Sequence, residues 1–155
     1  MICVIQRVSE ASVAIDGATV GKCAKGLLIM VCAVQGDTEN ICEKMAQKVL
    51  KMRIFEDENE KMNHSVSDIG GQILAVSNFT LAASCRKGTR PDFFRAEKPP
   101  LAKELYERFV DELKNGGAHT ETGEFGADMK ISASLDGPVT IILDSEKDLA
   151  QANNR

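Results

Sequence analysis

Short runs of Val, Ile and Leu separated by turn-forming residues fill the first third of the chain. Residues 2–8 and 11–15 are rich in Val and Ile, and Asp16-Gly17 marks a turn into Thr19-Val20, which predicts an opening β-meander. The apolar run 27–34 reads as a buried strand. Asp37-Thr38 then gives a helix N-cap signal, and Ile41, Met45, Val49 and Met52 recur at helical spacing, so an amphipathic helix is expected. Arg53-Ile54-Phe55 leads into an acidic turn at 56–60, and beyond Gly70-Gly71 a strand is expected over 72–79.

Residues 82–98 carry neither period and are expected to be irregular. Pro99-Pro100 opens a second helix with Leu101, Leu105, Phe109 and Leu113 on one face, and Asn115-Gly116-Gly117 stops it. In the last third Met129, Ile131, Ala133 and Leu135 alternate with Lys130, Ser132 and Ser134, the pattern of a half-buried strand. Asp136-Gly137-Pro138 is expected to turn the chain into a buried strand at 139–143, and the residues after Ser145 to fray. Two helices among many short strands imply an α+β fold: a mostly antiparallel, curved or barrel-like sheet with two main helices packed on it. At 155 residues one domain suffices, assigned to 1–145, with a polar tail at 146–155.

Composition narrows the class more than the function. Hydrophobic residues at 43% and charged residues at 27% argue against disordered, collagen-like and membrane-embedded proteins. The longest apolar run has eight residues where a spanning helix needs about 20, so no membrane contact is expected. The N-terminal residues lack the basic region and cleavage site of a secretory signal, which makes a cytoplasmic location the expectation. Cys3, Cys23, Cys32, Cys42 and Cys85 form no Cys-x-x-Cys pair and interrupt apolar stretches as small hydrophobes do, so no disulfide is expected. His64 and His119 lie outside any metal-ligand spacing; neither metal nor cofactor is expected. A net charge of −4 speaks against a surface wrapped in nucleic acid, and no DNA partner is expected. The charge is uneven, however. From Cys85 to Lys98 five basic residues (Arg86, Lys87, Arg90, Arg95, Lys98) face two acids, a local +3 that leaves −7 for the remainder.

Four segments carry candidate chemistry. Ser77-Asn78-Phe79-Thr80-Leu81 ends a predicted strand, where backbone N–H groups become free and, with the Ser77 and Thr80 hydroxyls, would stabilise a developing oxyanion. The plainer alternative makes Thr80 a strand residue and Ser77 a turn cap. Thr80 as a nucleophile requires an adjacent base, and none lies near it in sequence. The basic segment 86–95, with Phe93 and Phe94, suits phosphate tracking and base stacking, or else is a solvated charge run. Segment 122–129 permits a tight path through Gly123 and Gly126 beside Phe125 and Met129, as would a bulge or hairpin. Gly137-Pro138 is either a turn or a site where a cis peptide re-aims a carbonyl.

Taken together, Ile5-Gln6-Arg7-Val8, Ser77-Asn78-Phe79-Thr80-Leu81, Arg86-Lys87-Gly88-x-Arg90-Pro91, Thr122-Gly123-x-Phe125-Gly126-Ala127-x-Met129 and Asp136-Gly137-Pro138-Val139-Thr140 resemble the D-aminoacyl-tRNA (D-tyrosyl-tRNA) deacylase family in order and spacing across residues 1–145. The resemblance implies a homodimeric hydrolase. Its substrate is the ester joining a D-amino acid, or glycine mischarged on alanine tRNA, to the acceptor end of tRNA. It further implies that Gly137-Pro138 is held in cis and enters the partner's active site to reject L-aminoacyl esters. By the same resemblance Ser77, Phe79 and Thr80 are catalytic-pocket residues, and Asn78, Phe125, Ala127, Met129 and Arg7 contact or support the substrate, Arg7 by bracing the Gly-Pro loop. Arg86, Lys87 and Arg90 are the expected tRNA contacts. Two departures are visible: the family usually has glutamine where this chain has Asn78, and an apolar residue is more usual at His64, which reads as surface. Two rival readings use the same residues: a small-molecule esterase or amidase without RNA, and a non-catalytic RNA-binding or dimeric module.

Overall fold

In a computed structural model that describes residues 1–149, the chain opens with one long strand rather than two. β1 (Ile2–Ile15) turns at Asp16-Gly17 into β2 (Ala18–Cys23), and β3 (Gly26–Cys32) returns along the other half of β1. Register shifts around Val8 bend β1 and change which face its residues take. Cys3 and Ile5 join one core cluster while Val8, Ala11 and Val13 join another.

α1 (Glu39–Lys51) begins at the predicted cap, where the Thr38 side chain accepts from the Ile41 N–H. A small hairpin follows, β4 (Phe55–Glu56) with β5 (Met62–His64), and then β6 (Gln72–Ser77). β6 runs parallel to β3, and β7 (His119–Thr122) runs parallel to β6. Parallel neighbours require a crossover, which α1 supplies for the first pair and α2 (Leu101–Asn115) for the second. Both helices therefore cover the same face. β8 (Lys130–Asp144) pairs antiparallel with β1 along most of its length, and a short helix, α3 (Ser145–Asp148), capped by Asp144, follows.

The sheet is thus mixed, with three antiparallel and two parallel pairings, which corrects the mostly antiparallel expectation. Period-2 patterning reports a buried face but not strand direction. β3 and β6 are buried on both faces, as parallel strands usually are. Leu27, Ile29, Ile73 and Ala75 meet Met45, Val49, Leu105, Phe109 and Leu113 on the helix side. Leu28, Leu74 and Val76 meet Val8, Ala11, Val13 and Cys23 on the other. The sheet nearly closes into a barrel where β2 nears β7. There the Glu121 carboxylate accepts from the Lys22 N–H at 2.8 Å, and a side chain at Gly21 would run into the Thr122 carbonyl.

Three further expectations change. Asp136-Gly137-Pro138 does not turn the chain but lies within the single strand β8. Ile131, Ala133 and Leu135 are exposed rather than half-buried, and Ile142 is 66% exposed in the stretch expected to be buried, because none of the described residues covers that face. Residues 145–148 form a helical turn instead of fraying, while 150–155 of the expected tail lie outside the described residues. Among the described residues no helix is long and apolar enough to cross a membrane.

Candidate active site

The carboxyl ends of β3 and β6 lie side by side and form the floor of a cavity of about 770 Å³. This is where parallel strands in open sheets leave backbone groups and space for a ligand. Segment 125–129 forms one wall, and the first turns of α2 with Glu97 and Lys98 form another. Phe79 and Phe93 stand on a third side, edge to face, with ring centroids 5.1 Å apart. Ser77, Asn78, Phe79, Thr80, Phe125, Ala127 and Met129 all line this one space, although they come from segments more than forty residues apart in sequence.

Local geometry explains each placement. β6 stops because the Asn78 side chain caps a 3-10 turn at Phe79–Ala82, its Oδ1 accepting from the Thr80 N–H and from the Thr80 hydroxyl. The Asn78 N–H is spent on the Val31 carbonyl at 2.8 Å. Of the strand-end N–H groups expected to be free, only that of Phe79 has no acceptor among the described residues. On the opposite wall, Gly126 adopts φ +82°, a conformation that suits glycine, in a turn closed by Ala127 N–H to the Glu124 carbonyl. The absence of a side chain at Gly123 leaves room for the Met129 thioether.

The Thr80 hydroxyl donates to an amide oxygen, which orients it without being able to take its proton. Tyr106, at the back of the cavity, donates to the Ala75 carbonyl at 2.9 Å, and burial pushes its phenol up to about 12, so it remains a neutral donor. Cys32 also lines the cavity; burial raises its thiol, leaving it a packing group. Among the described residues no cluster of His, Cys, Asp and Glu suits a metal.

The remaining predicted residues lie elsewhere. Arg7 is buried: its Nη1 donates to the Ile54 carbonyl at 2.9 Å, and its Nε lies 3.2 Å from both the Asp136 carbonyl and the Asp136 carboxylate. It therefore ties the Asp136-Gly137 stretch to the β4 hairpin. Gly137 and Pro138, joined by a cis peptide, are exposed and do not line the cavity of their own chain. Arg86, Lys87 and Arg90 are exposed on a loop whose ends are tied by reciprocal 2.9 Å bonds between Ser84 and Asp92. Phe93 packs edge to face on Phe79 at the cavity wall, whereas Phe94 is 83% exposed. Arg95 is occupied by Asp144 and Glu146 at 3.0 and 2.9 Å.

Sequence reasoning did not assign Tyr106, Phe93, Glu97 or Lys98 to the site. Tyr106 was hidden beside Leu105 on the buried face of α2, and the other three precede that helix in a segment without periodicity. Of these, Lys98 was visible as part of the basic cluster.

Residues 4–144 match the family described as D-Tyr-tRNA(Tyr) deacylase. Among similar proteins, the D-aminoacyl-tRNA deacylase of Lactobacillus acidophilus is 56% identical over 141 residues, covering 91% of this chain and 97% of that protein. That of Paracoccus denitrificans is 54% identical, covering 94% and 97%. A solved structure described as c-Myc DNA Unwinding Element Binding Protein is 37% identical, with a TM-score of 0.89 over 94% of this chain and 99% of its own. Another, described as a probable eukaryotic D-amino acid tRNA deacylase, superimposes with a TM-score of 0.79 at 15% identity over 92% and 97%, a likeness of fold. With the family pattern matched over nearly its whole described length, and with the cavity assembled from the same motifs, this chain belongs to the D-Tyr-tRNA(Tyr) deacylase family.

Proposed function

We propose that this protein hydrolyses the ester of D-aminoacyl-tRNA, releasing the amino acid and free tRNA, and that it accepts glycine mischarged on alanine tRNA as well. The observation that carries the reading is the convergence of Ser77–Thr80 and Phe125–Met129 on one cavity at the ends of β3 and β6. A cavity of about 770 Å³ has room for a terminal nucleoside and an aminoacyl group together.

In hydrolysis, a water oxygen bonds to the ester carbonyl carbon, the carbon–ribose oxygen bond breaks, and the ribose oxygen gains a proton. The Phe79 N–H is the donor best suited to the oxyanion that forms in between. Thr80, its hydroxyl hydrogen engaged in the bond it donates to Asn78, offers oxygen lone pairs that orient water or the substrate ammonium. With no protein base beside Thr80, the substrate's own 2′-hydroxyl assists the water, and the protein supplies position and dipoles. Asn78, one methylene shorter than the family's usual glutamine, works by capping the turn and orienting Thr80.

The working unit in this proposal is a homodimer in which the Gly137-Pro138 carbonyls of one protomer face the cavity of the other and exclude an L side chain. Support comes from the uncovered apolar residues Ile131, Leu135 and Ile142 of β8, and from Arg7, which holds the loop's base. Arg86, Lys87 and Arg90 follow the acceptor strand's phosphates.

Two variants test the reading. Neutralising Arg86, Lys87 and Arg90 together should weaken D-Tyr-tRNA binding and flatten its salt dependence; unchanged turnover points to a small-molecule esterase. Thr80→Ala should lower kcat by no more than about tenfold, the scale of one neutral hydrogen bond. Complete loss, together with an acyl ester trapped on Thr80 of the wild-type protein, overturns the non-covalent mechanism.

A further inference from the structure

We propose that Lys98 is the phosphate-binding residue at the mouth of the cavity: its ammonium pairs with the phosphodiester that links the substrate's terminal nucleotide to the preceding one. The inference rests on the deacylase reading and extends it to a residue which that reading leaves unused.

Among the described residues that line the cavity, Lys98 is the only Lys or Arg. The other cations of the basic segment are placed differently. Arg95 is committed to Asp144 and Glu146, while Arg86, Lys87 and Arg90 belong to the loop tied off between Ser84 and Asp92 and do not line the cavity. Lys98 itself is exposed, and among the described residues no carboxylate lies within ion-pairing distance of its ammonium. Its backbone is fixed at both ends: the N–H donates to the Glu97 carboxylate at 2.8 Å, and the carbonyl accepts from Ala102 at 3.0 Å at the start of α2. A flexible side chain thus projects from a rigid base at the cavity rim, which limits the ordering needed for a contact.

The rim needs such a cation. Glu97 and Asp128 also line the cavity, and two carboxylates there repel a nucleic-acid backbone. A substrate seated by its terminal nucleoside must lead its first phosphodiester out past them. Lys98 offsets that repulsion where the chain leaves and complements the contacts the basic loop makes farther along the strand.

The test compares wild type, Lys98→Gln and Lys98→Arg on D-Tyr-tRNA and on 3′-O-(D-tyrosyl)adenosine, an ester without phosphate, at several salt concentrations. Wild-type turnover of D-Tyr-tRNA is read first; its absence refutes the deacylase reading, and the Lys98 assignment falls with it. Given turnover, Lys98→Gln should raise KM for D-Tyr-tRNA about tenfold and reduce the slope of log affinity against log salt by about one. Lys98→Arg should restore most of both. With the phosphate-free ester the KM change should shrink to about twofold or less, since no charged bond is lost. An unchanged KM and salt slope on D-Tyr-tRNA, or an equal penalty on both substrates, overturns the assignment while leaving the deacylase reading in place.

Discussion

Replacing Arg7 by Met removes a buried guanidinium while keeping most of its apolar stem. The cost follows from its partners. The Ile54 carbonyl sits in a residue only 6% exposed and loses its 2.9 Å donor, a desolvation penalty of about 1–3 kcal/mol. The bond to the Asp136 carbonyl is longer, at 3.2 Å and part-buried, and contributes about 1 kcal/mol. The carboxylates of Glu56 and Asp136 are about half exposed, so each ion pair adds less than about 1 kcal/mol. The sum is roughly 2–5 kcal/mol, which for a chain of this size lowers Tm by about 5–20 °C. Thermal unfolding followed by circular dichroism, at one fixed protomer concentration, measures it. Arg7→Lys should fall between the two, since an ammonium reaches one carbonyl but lacks the fork. Most of the loss should persist at about 1 M salt, where surface pairs are screened and the orphaned carbonyl is not. An Arg7→Met Tm within about 2 °C of wild type refutes the assignment of Arg7 as the tie between the β4 hairpin and the Gly137-Pro138 stretch.

Other outcomes follow from particular contacts. Gly21→Ala pushes a methyl group against the Thr122 carbonyl where β2 nears β7, and should destabilise by about 1–3 kcal/mol in urea titration; a neutral result contradicts close packing at that seam. Burial works against the charge of Asp144, but the Arg95 guanidinium and the Glu146 N–H outweigh it and hold its carboxyl below the usual range. Its stabilising contribution is therefore complete above the unfolded aspartate value of about 3.9 and lost as pH falls through the lower folded value. Asp144→Asn should show less acid destabilisation between about pH 5 and 2 than wild type, and parallel acid limbs contradict this. Burial raises the thiols of Cys3, Cys23, Cys32 and Cys42, the last to about 12, whereas Cys85 is exposed. Native protein should react with a thiol reagent at Cys85 alone, and a second fast thiol disproves the packing at one of the others.

Local signals in the sequence were legible where local physics decides. Thr38 caps α1, Asn115-Gly116-Gly117 ends α2, and Leu105, Phe109 and Leu113 are buried as their spacing predicts. Leu101 fits the same spacing but is 42% exposed, although its neighbour Ala102 in the same turn is buried. Strand direction was not legible: the patterns of β3 and β6 are the same for either sense, and it is the α1 crossover between them that lets the pair run parallel. The alternation of Ile131, Ala133 and Leu135 marks a strand, as expected, but the face is exposed rather than half-buried, since alternation alone does not say whether anything covers a face. At the site, Ser77–Thr80 and Phe125–Met129 stood out through their motifs, and the structure brings them together. Tyr106 and Lys98 reach the same cavity only through the placement of α2, a tertiary fact with no local signature.

The most direct measurement of the central claim is hydrolysis of D-Tyr-tRNA and L-Tyr-tRNA, side by side, by the purified wild-type protein. The account predicts release of D-tyrosine with the L ester left intact. Equal hydrolysis of both esters would contradict the chiral gate, and hydrolysis of neither would contradict the deacylase function itself.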